Sequence, residues 1–327
     1  MISAAAFERP EGRPRRVLCV GAAVLDTLFR VRTMPTGQGK ILPYDMLQIA
    51  EGMASSAAYA VAQLGGSASL WGAVGDDETG SRILSDLKAS GIDTDGMVRV
   101  EGARSAVSTI LVDDAGERLI VPFYDPRLHD VVPSVSASDI EPFDAVLVDV
   151  RWPQMALRTL KAARAAGKLA ILDGDVAPES ILELLVPAAS HAVFSEPAAR
   201  RLSTEDRLPD IVAALKQRFS HAFICVTSGE KGCCWFDEEK GHVLHMPALA
   251  VDTIDTLAAG DIFHGAFALA IAEQQPVEQA IRIASVAAAL KCQVFGGRTG
   301  APTRDAVNDC LRQAQLVSTL AAGSFET

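Results

Sequence analysis

The sequence lacks the marks of several large protein classes. No apolar run reaches the ~18 residues that a membrane-spanning helix needs, and residues 1–16 have no apolar core, so neither a membrane span nor a signal peptide is expected. The six cysteines have no zinc spacing, and we interpret them as reduced thiols of a cytoplasmic protein. The net charge of −11 argues against a nucleic-acid partner.

Two nucleotide-binding signatures are also missing. No Gly-x-Gly-x-x-Gly follows the first predicted strand, and no Gly-Lys-Ser/Thr phosphate loop occurs. The sequence therefore lacks the most specific evidence for a dinucleotide-dependent oxidoreductase or a P-loop enzyme. The six histidines are scattered without metal spacing, so a histidine metal centre is not expected either.

The sequence does contain enough apolar residues, 49% of 327, to bury a large core. Residues 16–26 predict a buried strand that runs into a turn carrying Asp26, and residues 51–65 predict a helix of small residues. After residue 133, strands and helices alternate, which predicts a parallel sheet with right-handed crossovers. The predicted strands there are 145–150, 169–173, 191–194 and 222–227, and a hairpin spans 233–246. The predicted helices are 79–90, 154–166, 179–188, 197–203, 209–218, 261–274, 277–292 and 303–319.

Two β-rich stretches, residues 27–50 and 97–124, interrupt this pattern. The second contains three predicted strands, and the last two of them are joined by a hairpin signal at residues 113–116. We expect the two stretches to form a small accessory sheet over one edge of the main sheet. Because no linker-like segment separates them from the rest, residues 1–327 are predicted to form a single domain.

The stretch with the most chemical content is residues 251–267. Asp255 and Asp261 flank three very small residues, Ala258, Ala259 and Gly260, directly before a strongly apolar helix. The start of a helix presents unpaired N–H groups and the positive end of a dipole, and small side chains let a phosphate approach it. Asp261 is therefore either an ordinary helix cap or a general base beside a phosphate.

Together these segments resemble the ribokinase family of sugar kinases, also called the phosphofructokinase B type, over roughly residues 16–319. The most specific match is Asp255-Thr-Leu-Ala-Ala-Gly-Asp261, which is similar to the family signature Asp-Thr-x-Gly-Ala-Gly-Asp. The resemblance implies an α/β fold, a ribokinase-like three-layer sandwich with a central, mostly parallel sheet and a small β-sheet lid. It also implies an ATP-dependent kinase that transfers the γ-phosphate to a hydroxyl group of a small sugar. ATP and Mg²⁺ are the implied cofactors, with a monovalent cation as an option.

The resemblance assigns roles to individual residues. Asp261 is implied as the catalytic base, with an anion hole formed by Ala258, Ala259 and Gly260. The nucleotide site is implied at Thr227, Gly229, Gly232, Ser195 and Ser285. Sugar-binding positions are implied at Asp26, Gly52 and Ser56, and a metal contact through water at Glu196.

The chain departs from the family pattern at four places. Ala258 replaces a signature glycine, which is compatible with the motif if the φ angle there is negative. Glu51 replaces the first of two glycines, and Ser56 replaces an asparagine in the helix that follows. Ala198 replaces the glutamate that orders water around magnesium, and Glu196 is the candidate substitute.

A narrower similarity concerns the acceptor. Residues 147–152, 172–175, 194–197 and 289–292 are similar to the branch that contains sulfofructose kinases. In that branch an arginine and a lysine bind the anionic end of the sugar, and they correspond to Arg151 and Lys40. Arginine suits such a group because its planar fork can bind it through two hydrogen bonds. The expected acceptor is a ketohexose or an acidic hexose derivative, either sulfofructose or a sugar phosphate; the alternative for Arg151 is a salt bridge to Asp149 or Asp173.

The sequence leaves two other functions possible. A nucleoside kinase of the same fold needs broad apolar walls in its lid, and among residues 30–50 only Tyr44 is aromatic. A non-catalytic sugar-binding or regulatory protein is suggested by Glu51 and by the altered segment 195–198. A homodimer through the lid sheet is expected in either case, because Val107, Ile110 and Val112 on a small sheet need covering.

Overall fold

The computed structural model describes residues 7, 11–37 and 39–313. Within them the strands are β1 (Arg16–Val20), β2 (Val24–Arg30), β3 (Asp45–Glu51), β4 (Ser67–Trp71), β5 (Ala73–Gly75), β6 (Val98–Val100), β7 (Val107–Val112), β8 (Arg118–Phe123), β9 (Ala145–Val148), β10 (Leu169–Gly174), β11 (His191–Ser195), β12 (Phe223–Thr227), β13 (Cys233–Asp237) and β14 (His242–Met246). The helices are α1 (Met53–Gln63), α2 (Glu78–Ala89), α3 (Ala137–Ile140), α4 (Pro153–Ala165), α5 (Glu179–Leu185), α6 (Glu196–Ala199), α7 (Leu208–Arg218), α8 (Ala259–Ala272), α9 (Val277–Cys292) and α10 (Arg304–Gln313).

An eight-stranded sheet forms the centre of the fold, in the order β14-β13-β12-β11-β10-β9-β1-β4. The six strands from β12 to β4 are parallel, whereas β13 runs antiparallel to β12 and pairs antiparallel with β14. The predicted mostly parallel sheet is confirmed. Its parallel strands direct all their carboxyl ends to one edge, where ligands bind in open α/β sheets.

Successive residues of the central strands point into two different cores. In β1, Val17 and Cys19 pack with α1, α8 and α9, whereas Leu18 and Val20 pack with the face that α4, α5 and α7 cover. Alternation of this kind follows from the two-residue period of a strand. Because both faces are covered, the strands are apolar throughout, and the result is three layers.

The accessory sheet has four strands in the order β3-β2-β7-β8. Its inner face has its own small core of Leu28, Ile49, Ile110 and Val112, which packs against Leu257 of the signature segment. The expectation that Ile110 and Val112 need an outside partner is therefore wrong, since both are buried within the chain. We call this sheet the lid.

Several predicted boundaries need correction. Asp26 does not lie in a turn after β1 but in the lid strand β2, which begins at Val24. The strand β6 pairs with β5 in a separate two-stranded sheet and is not part of the lid. The helix predicted over 197–203 is only the single turn Glu196–Ala199, and of the helix predicted over 303–319, residues 314–319 lie outside the described part.

Two further observations concern the whole described part of the chain. No helix in it is both long and apolar enough to cross a membrane. All six cysteines lie within it, and none of them forms a disulfide.

Candidate active site

The carboxyl ends of the parallel strands bring most of the predicted site residues to one edge. Ser195 ends β11 and is paired with Thr227 at the end of β12, so these two nucleotide candidates lie side by side. Arg151, Asp26 and Asp261 each lie within electrostatic reach of the hydroxyl group of Tyr124, where they influence its pKa. The structure therefore places candidates for sugar binding and for catalysis around one tyrosine, and their roles stay predictions.

Asp261 lies in the first turn of α8, at the third helical position and partly exposed. It is not the cap of this helix, because the capping position belongs to Ala258, which makes no side-chain cap hydrogen bond. Shielding from water raises the pKa of the Asp261 carboxyl well above its ordinary value, and the neighbouring carboxylates of Asp173 and Glu51 raise it further. A raised pKa makes the carboxylate a stronger base.

The turn before α8 has an unusual backbone. The φ angle of Ala258 is 62°, so the condition under which alanine would fit the motif without strain is not met. This left-handed conformation favours glycine and costs an alanine about 1 to 2 kcal/mol. A Cβ atom built on Gly260 would meet nothing within 4 Å, so there is open space beside this residue. The start of a helix next to open space is a place where an anion can approach the backbone.

Helix α8 is held against the sheet by His264, for which no role was predicted. His264 is buried, with Nδ1 2.7 Å from the Gly260 carbonyl oxygen and Nε2 3.2 Å from that of Val193 on β11. Its Nδ1 also lies 3.3 Å from a carboxylate oxygen of Asp173 on β10. His264 thus links the first turn of α8 to the strands β10 and β11.

One buried carboxylate joins the elements implied for sugar binding. Asp149, at the end of β9, accepts hydrogen bonds from the backbone N–H groups of Ala22 (2.8 Å), Ala54 (3.2 Å) and Arg151 (2.8 Å). A Cβ atom on Gly21 would lie 2.1 Å from the same carboxylate, so only glycine fits there. This role of Asp149 was not predicted, although an aspartate directly after an apolar strand was a usable signal.

Asp26 lies in the lid strand β2, and Gly52 lies between the lid strand β3 and α1. Burial raises the pKa of Asp26 to about 7, and the nearby Glu51 carboxylate adds to the rise. Gly52 has a φ angle of 112°, and a Cβ atom there would lie 2.6 Å from the Ala22 carbonyl oxygen. Neither feature favours stability. Asp26 is a buried carboxyl with a raised pKa, and Gly52 has a backbone conformation that other residues rarely adopt.

Two departures from the family pattern prove to be one feature. The hydroxyl group of Ser56, wholly buried, donates to Glu51 Oε2, while Glu51 Oε1 accepts from the backbone N–H of Arg298 at 2.6 Å. Glu51 is itself only 2% exposed. Ser56 therefore contacts Glu51 and not open space, and its predicted contact with sugar stays a prediction.

Arg151 is paired, but with neither of the two carboxylates considered above. Its guanidinium group donates to Asp175 Oδ2 and to the Val176 carbonyl oxygen, both at 3.0 Å. It borders a small cavity of about 10 Å³, room for about one water molecule, which Tyr124 and Trp152 also line. Lys40 lies exposed in the loop between β2 and β3.

The other nucleotide candidates lie in the turn after β12 and in α9. Gly232 has a φ angle of 87°, and a Cβ atom there would lie 2.0 Å from the Met246 carbonyl oxygen, so the segment around Thr227 and Gly229 requires this glycine. Ser285 lies half-buried in α9. Glu196 is engaged on both oxygens, one by the guanidinium of Arg200 and one by the hydroxyl of Ser228.

Comparison with known proteins decides the family. A family model described as pfkB family carbohydrate kinase matches residues 14–304. The chain belongs to this family. A solved structure from Agrobacterium tumefaciens, provisionally named a ribokinase, is 62% identical and covers 92% of this chain and 98% of that one, with a TM-score of 0.90.

Two curated relatives align over nearly their whole length. The ribokinase of Bacillus subtilis is 27% identical over 300 residues, which are 91% of this chain and 99% of the relative. The ATP-dependent ribose-1-phosphate kinase of Halopiger xanaduensis is 29% identical over 296 residues, 89% of this chain and 96% of the relative. Membership in the pfkB family confirms the predicted fold and enzyme class, an ATP-dependent carbohydrate kinase. The sulfofructose kinase branch stays a prediction.

Proposed function

We propose that this pfkB kinase transfers the γ-phosphoryl group of ATP to a hydroxyl group of a small sugar with an anionic substituent, with Asp261 as the base. The observation that carries the proposal is the position of Asp261. Its carboxyl stands beside the open backbone turn of Ala258 and Gly260, within the electrostatic reach of Asp175 and Asp149 from the sheet edge. A base and an anion-binding turn in one place are what phosphoryl transfer to an alcohol requires.

The chain contributes position, proton transfer and stabilisation of charge. The sugar hydroxyl donates its proton to Asp261 as the oxygen attacks the phosphoryl group, and the raised pKa of this carboxyl favours that transfer. The N–H groups at the start of α8 stabilise the negative charge on the transferred group. Thr227, Gly229, Gly232, Ser195 and Ser285 bind the nucleotide.

Magnesium fits Asp175 better than Glu196. A carboxylate has about four acceptor sites; Asp175 uses one for Ser195 and one for Arg151, and it lies close enough to affect the pKa of Asp261. Glu196 uses three of its acceptor sites, two for the guanidinium group of Arg200 and one for the hydroxyl group of Ser228. When bound, Mg²⁺ neutralises charge on the phosphate groups, and it usually needs only one or two protein carboxylates.

The acceptor is assigned from charge. The relative from Halopiger xanaduensis acts, by its name, on a phosphorylated sugar. Arg151, with 37% of its side chain exposed at the edge of the site, is a cation suited to the anionic end of such an acceptor, and Lys40 from the lid loop is the second. Asp26 binds sugar hydroxyl groups, because a carboxylate readily accepts hydrogen bonds from them. A ketohexose derivative such as sulfofructose has the same chemistry.

The lid of this kinase pairs with the lid of a second copy. All six residues of the edge strand β8 are exposed, and Leu119 and Val121 are 47% and 61% exposed. An open, apolar edge strand is a template for pairing with another chain. The occupant best matched to an exposed strand edge is the same edge of an identical subunit.

The test is Asp261→Asn with a panel of acceptors and ATP. We expect kcat to fall by about 10²- to 10⁴-fold while ATP binding is retained, since an amide keeps the shape but accepts no proton. Asp252→Asn, an exposed residue of the same segment, is the matched control and should leave kcat unchanged. The panel contains ribose, fructose, ribose 1-phosphate, sulfofructose and adenosine. Transfer to adenosine alone would show that the protein is a nucleoside kinase. An unchanged kcat in Asp261→Asn would show that Asp261 is not the base.

A further inference from the structure

A lysine lies fully buried next to the catalytic turn. Lys291, in the last turn of α9, has no exposed surface, and neither has Asp255, the first residue of the signature. An ammonium group withdrawn from water costs several kcal/mol unless other groups compensate it. Packing alone therefore does not explain why a charged residue occupies this position.

The surroundings of Lys291 resemble the oxygen shell of a bound cation. Its Nζ lies 2.7 Å from the Asp255 carbonyl oxygen, 3.1 Å from Asp255 Oδ2 and 3.5 Å from the Val294 carbonyl oxygen. An ammonium group has three N–H bonds to direct at three oxygens, whereas a neutral amine would turn its lone pair towards one of them. Burial lowers the pKa of Lys291, but the Asp255 carboxylate opposes this change and favours the charged form.

The same aspartate shapes the catalytic turn. Asp255 Oδ1 accepts from the N–H of Leu257 at 2.8 Å, and Oδ2 accepts from the N–H groups of Gly296 and Gly297, both at 3.0 Å. Leu257 directly precedes Ala258, the residue with the left-handed backbone. A cation bound to Asp255 thus fixes the turn that presents the N–H groups to phosphate. Removal of the cation would leave a buried carboxylate without its counter-charge.

The residues here do not fit a bound monovalent cation, although the oxygen atoms would suit one. Carbonyl and carboxylate oxygens are the ligands that K⁺ and other hard cations take. The position among them is filled by Nζ of Lys291 at hydrogen-bonding distance. We propose that Lys291 supplies from within the chain the positive charge that a monovalent cation would otherwise supply beside the anion hole, so that this kinase needs neither K⁺ nor Na⁺.

The proposal makes Lys291 a positioning residue, and it rests on the proposed kinase reaction. The first measurement is kcat of the wild-type enzyme with ATP and its sugar, in a buffer free of K⁺ and Na⁺. Addition of KCl to about 0.1 M should change kcat no more than tetramethylammonium chloride at equal ionic strength, which corrects for screening of surface charge. Stimulation by K⁺ but not by tetramethylammonium would overturn the proposal.

The second measurement uses two variants of Lys291. Lys291→Ala removes the charge and opens space among the oxygens, so kcat should fall by about tenfold to a hundredfold, as for a misplaced catalytic group. K⁺ or NH₄⁺ should restore much of this loss, and tetramethylammonium should not. Lys291→Met removes the charge but fills the space, so its kcat should stay low in every salt. An equal increase of kcat by K⁺ in both variants would contradict the proposal that Lys291 takes the place of a cation.

A matched control exists elsewhere in the fold. Lys216 is also buried and donates to the carbonyl oxygens of Ser220 (2.7 Å) and Ala222 (3.0 Å), at the amino end of β12 and far along that strand from Thr227. Lys216→Met should lower the free energy of unfolding but create no dependence of kcat on K⁺. A K⁺ requirement in this variant would show that loss of any buried lysine produces the effect.

Thermal unfolding provides a readout that does not depend on activity. A ligand that binds the native state raises its melting temperature. K⁺ should therefore stabilise Lys291→Ala more than tetramethylammonium does, with no such difference in wild type or in Lys291→Met. If the wild-type protein phosphorylates no sugar, the proposed function fails, and this comparison still decides the role of Lys291. Absence of both K⁺-selective stabilisation and rescue of kcat in Lys291→Ala overturns the proposal.

Discussion

Asp26 should make the substrate-free protein less stable as the pH rises towards neutrality. This residue lies 7% exposed in the lid strand β2, and burial raises the pKa of its carboxyl from 3.8 to about 7. A carboxyl with a raised native pKa binds its proton more tightly in the folded state than in the unfolded state. Its stabilising contribution is fully present below about pH 3.8 and is lost as the pH rises through about 7.

The magnitude follows from the two pKa values. The whole difference corresponds to roughly 4 kcal/mol, at about 1.4 kcal/mol for each tenfold change in proton affinity. Between about pH 5 and pH 7, Asp26 should remove about 2 kcal/mol from the free energy of unfolding. Asp26→Asn keeps the shape and loses this dependence, so at neutral pH the variant should be more stable than the wild type, while its sugar binding is impaired.

Urea unfolding of both proteins across this pH range is the assay. The comparison uses the difference between wild type and variant, which cancels the titration of groups that they share. Asp45→Asn is the matched control, because Asp45 begins the neighbouring lid strand but is exposed. Identical pH slopes for wild type and Asp26→Asn would refute the reasoning, and so would a slope change of the same size in Asp45→Asn.

Three other changes test separate parts of the site. Arg151→Met should raise KM for an acidic sugar about ten- to a hundredfold and leave KM for ATP and fructose nearly unchanged; equal weakening of both sugars would make Arg151 purely structural. Glu51→Ala leaves two buried donors without an acceptor and should cost about 2–5 kcal/mol in urea unfolding, whereas Glu51→Gln can bond both and should cost less than about 1. Equal losses would contradict the role of Glu51 as their acceptor. Val121→Lys on the lid edge should convert a dimer to a monomer in light scattering; a monomeric wild type would rule out the lid dimer.

The main sheet could be predicted because its evidence is local. The helix predicted over 277–292 coincides with α9, and the strands from β9 to β12 lie within two residues of their predicted ends. Each is an uninterrupted apolar or periodic segment with clear breaks. The lid was harder, because the sequence shows which segments prefer strand but not their partners. Thus β6 was assigned to the lid, while its partner in the fold is β5.

The sequence predicted a set of site positions, which stay predictions, and it did not predict the contacts that these residues make. The signature located Asp261 and its turn, yet the left-handed backbone of Ala258 depends on how the turn packs. Glu51 and Arg298 are 247 residues apart in sequence, and no spacing rule joins them. In the sequence, Lys291 is one of three charged residues of α9, and its segment was noted only for its similarity to one branch of the family. Its meaning arises when α9 brings it to Asp255.

These contacts bear on the hypothesis of a non-catalytic protein, which relied on Glu51 and on the altered segment 195–198. In a protein that has lost its activity, substitutions at the former site accumulate independently, and each leaves an unsatisfied polar group or a cavity. Here the change at Glu51 is matched by Ser56, whose hydroxyl it accepts, and Ser195 still bonds Asp175 beside Thr227. The chain even retains a strained alanine at the anion-binding turn, and strain persists only where the surrounding structure maintains it. The departures therefore describe a different solution to the same geometry, which is what a working carbohydrate kinase needs.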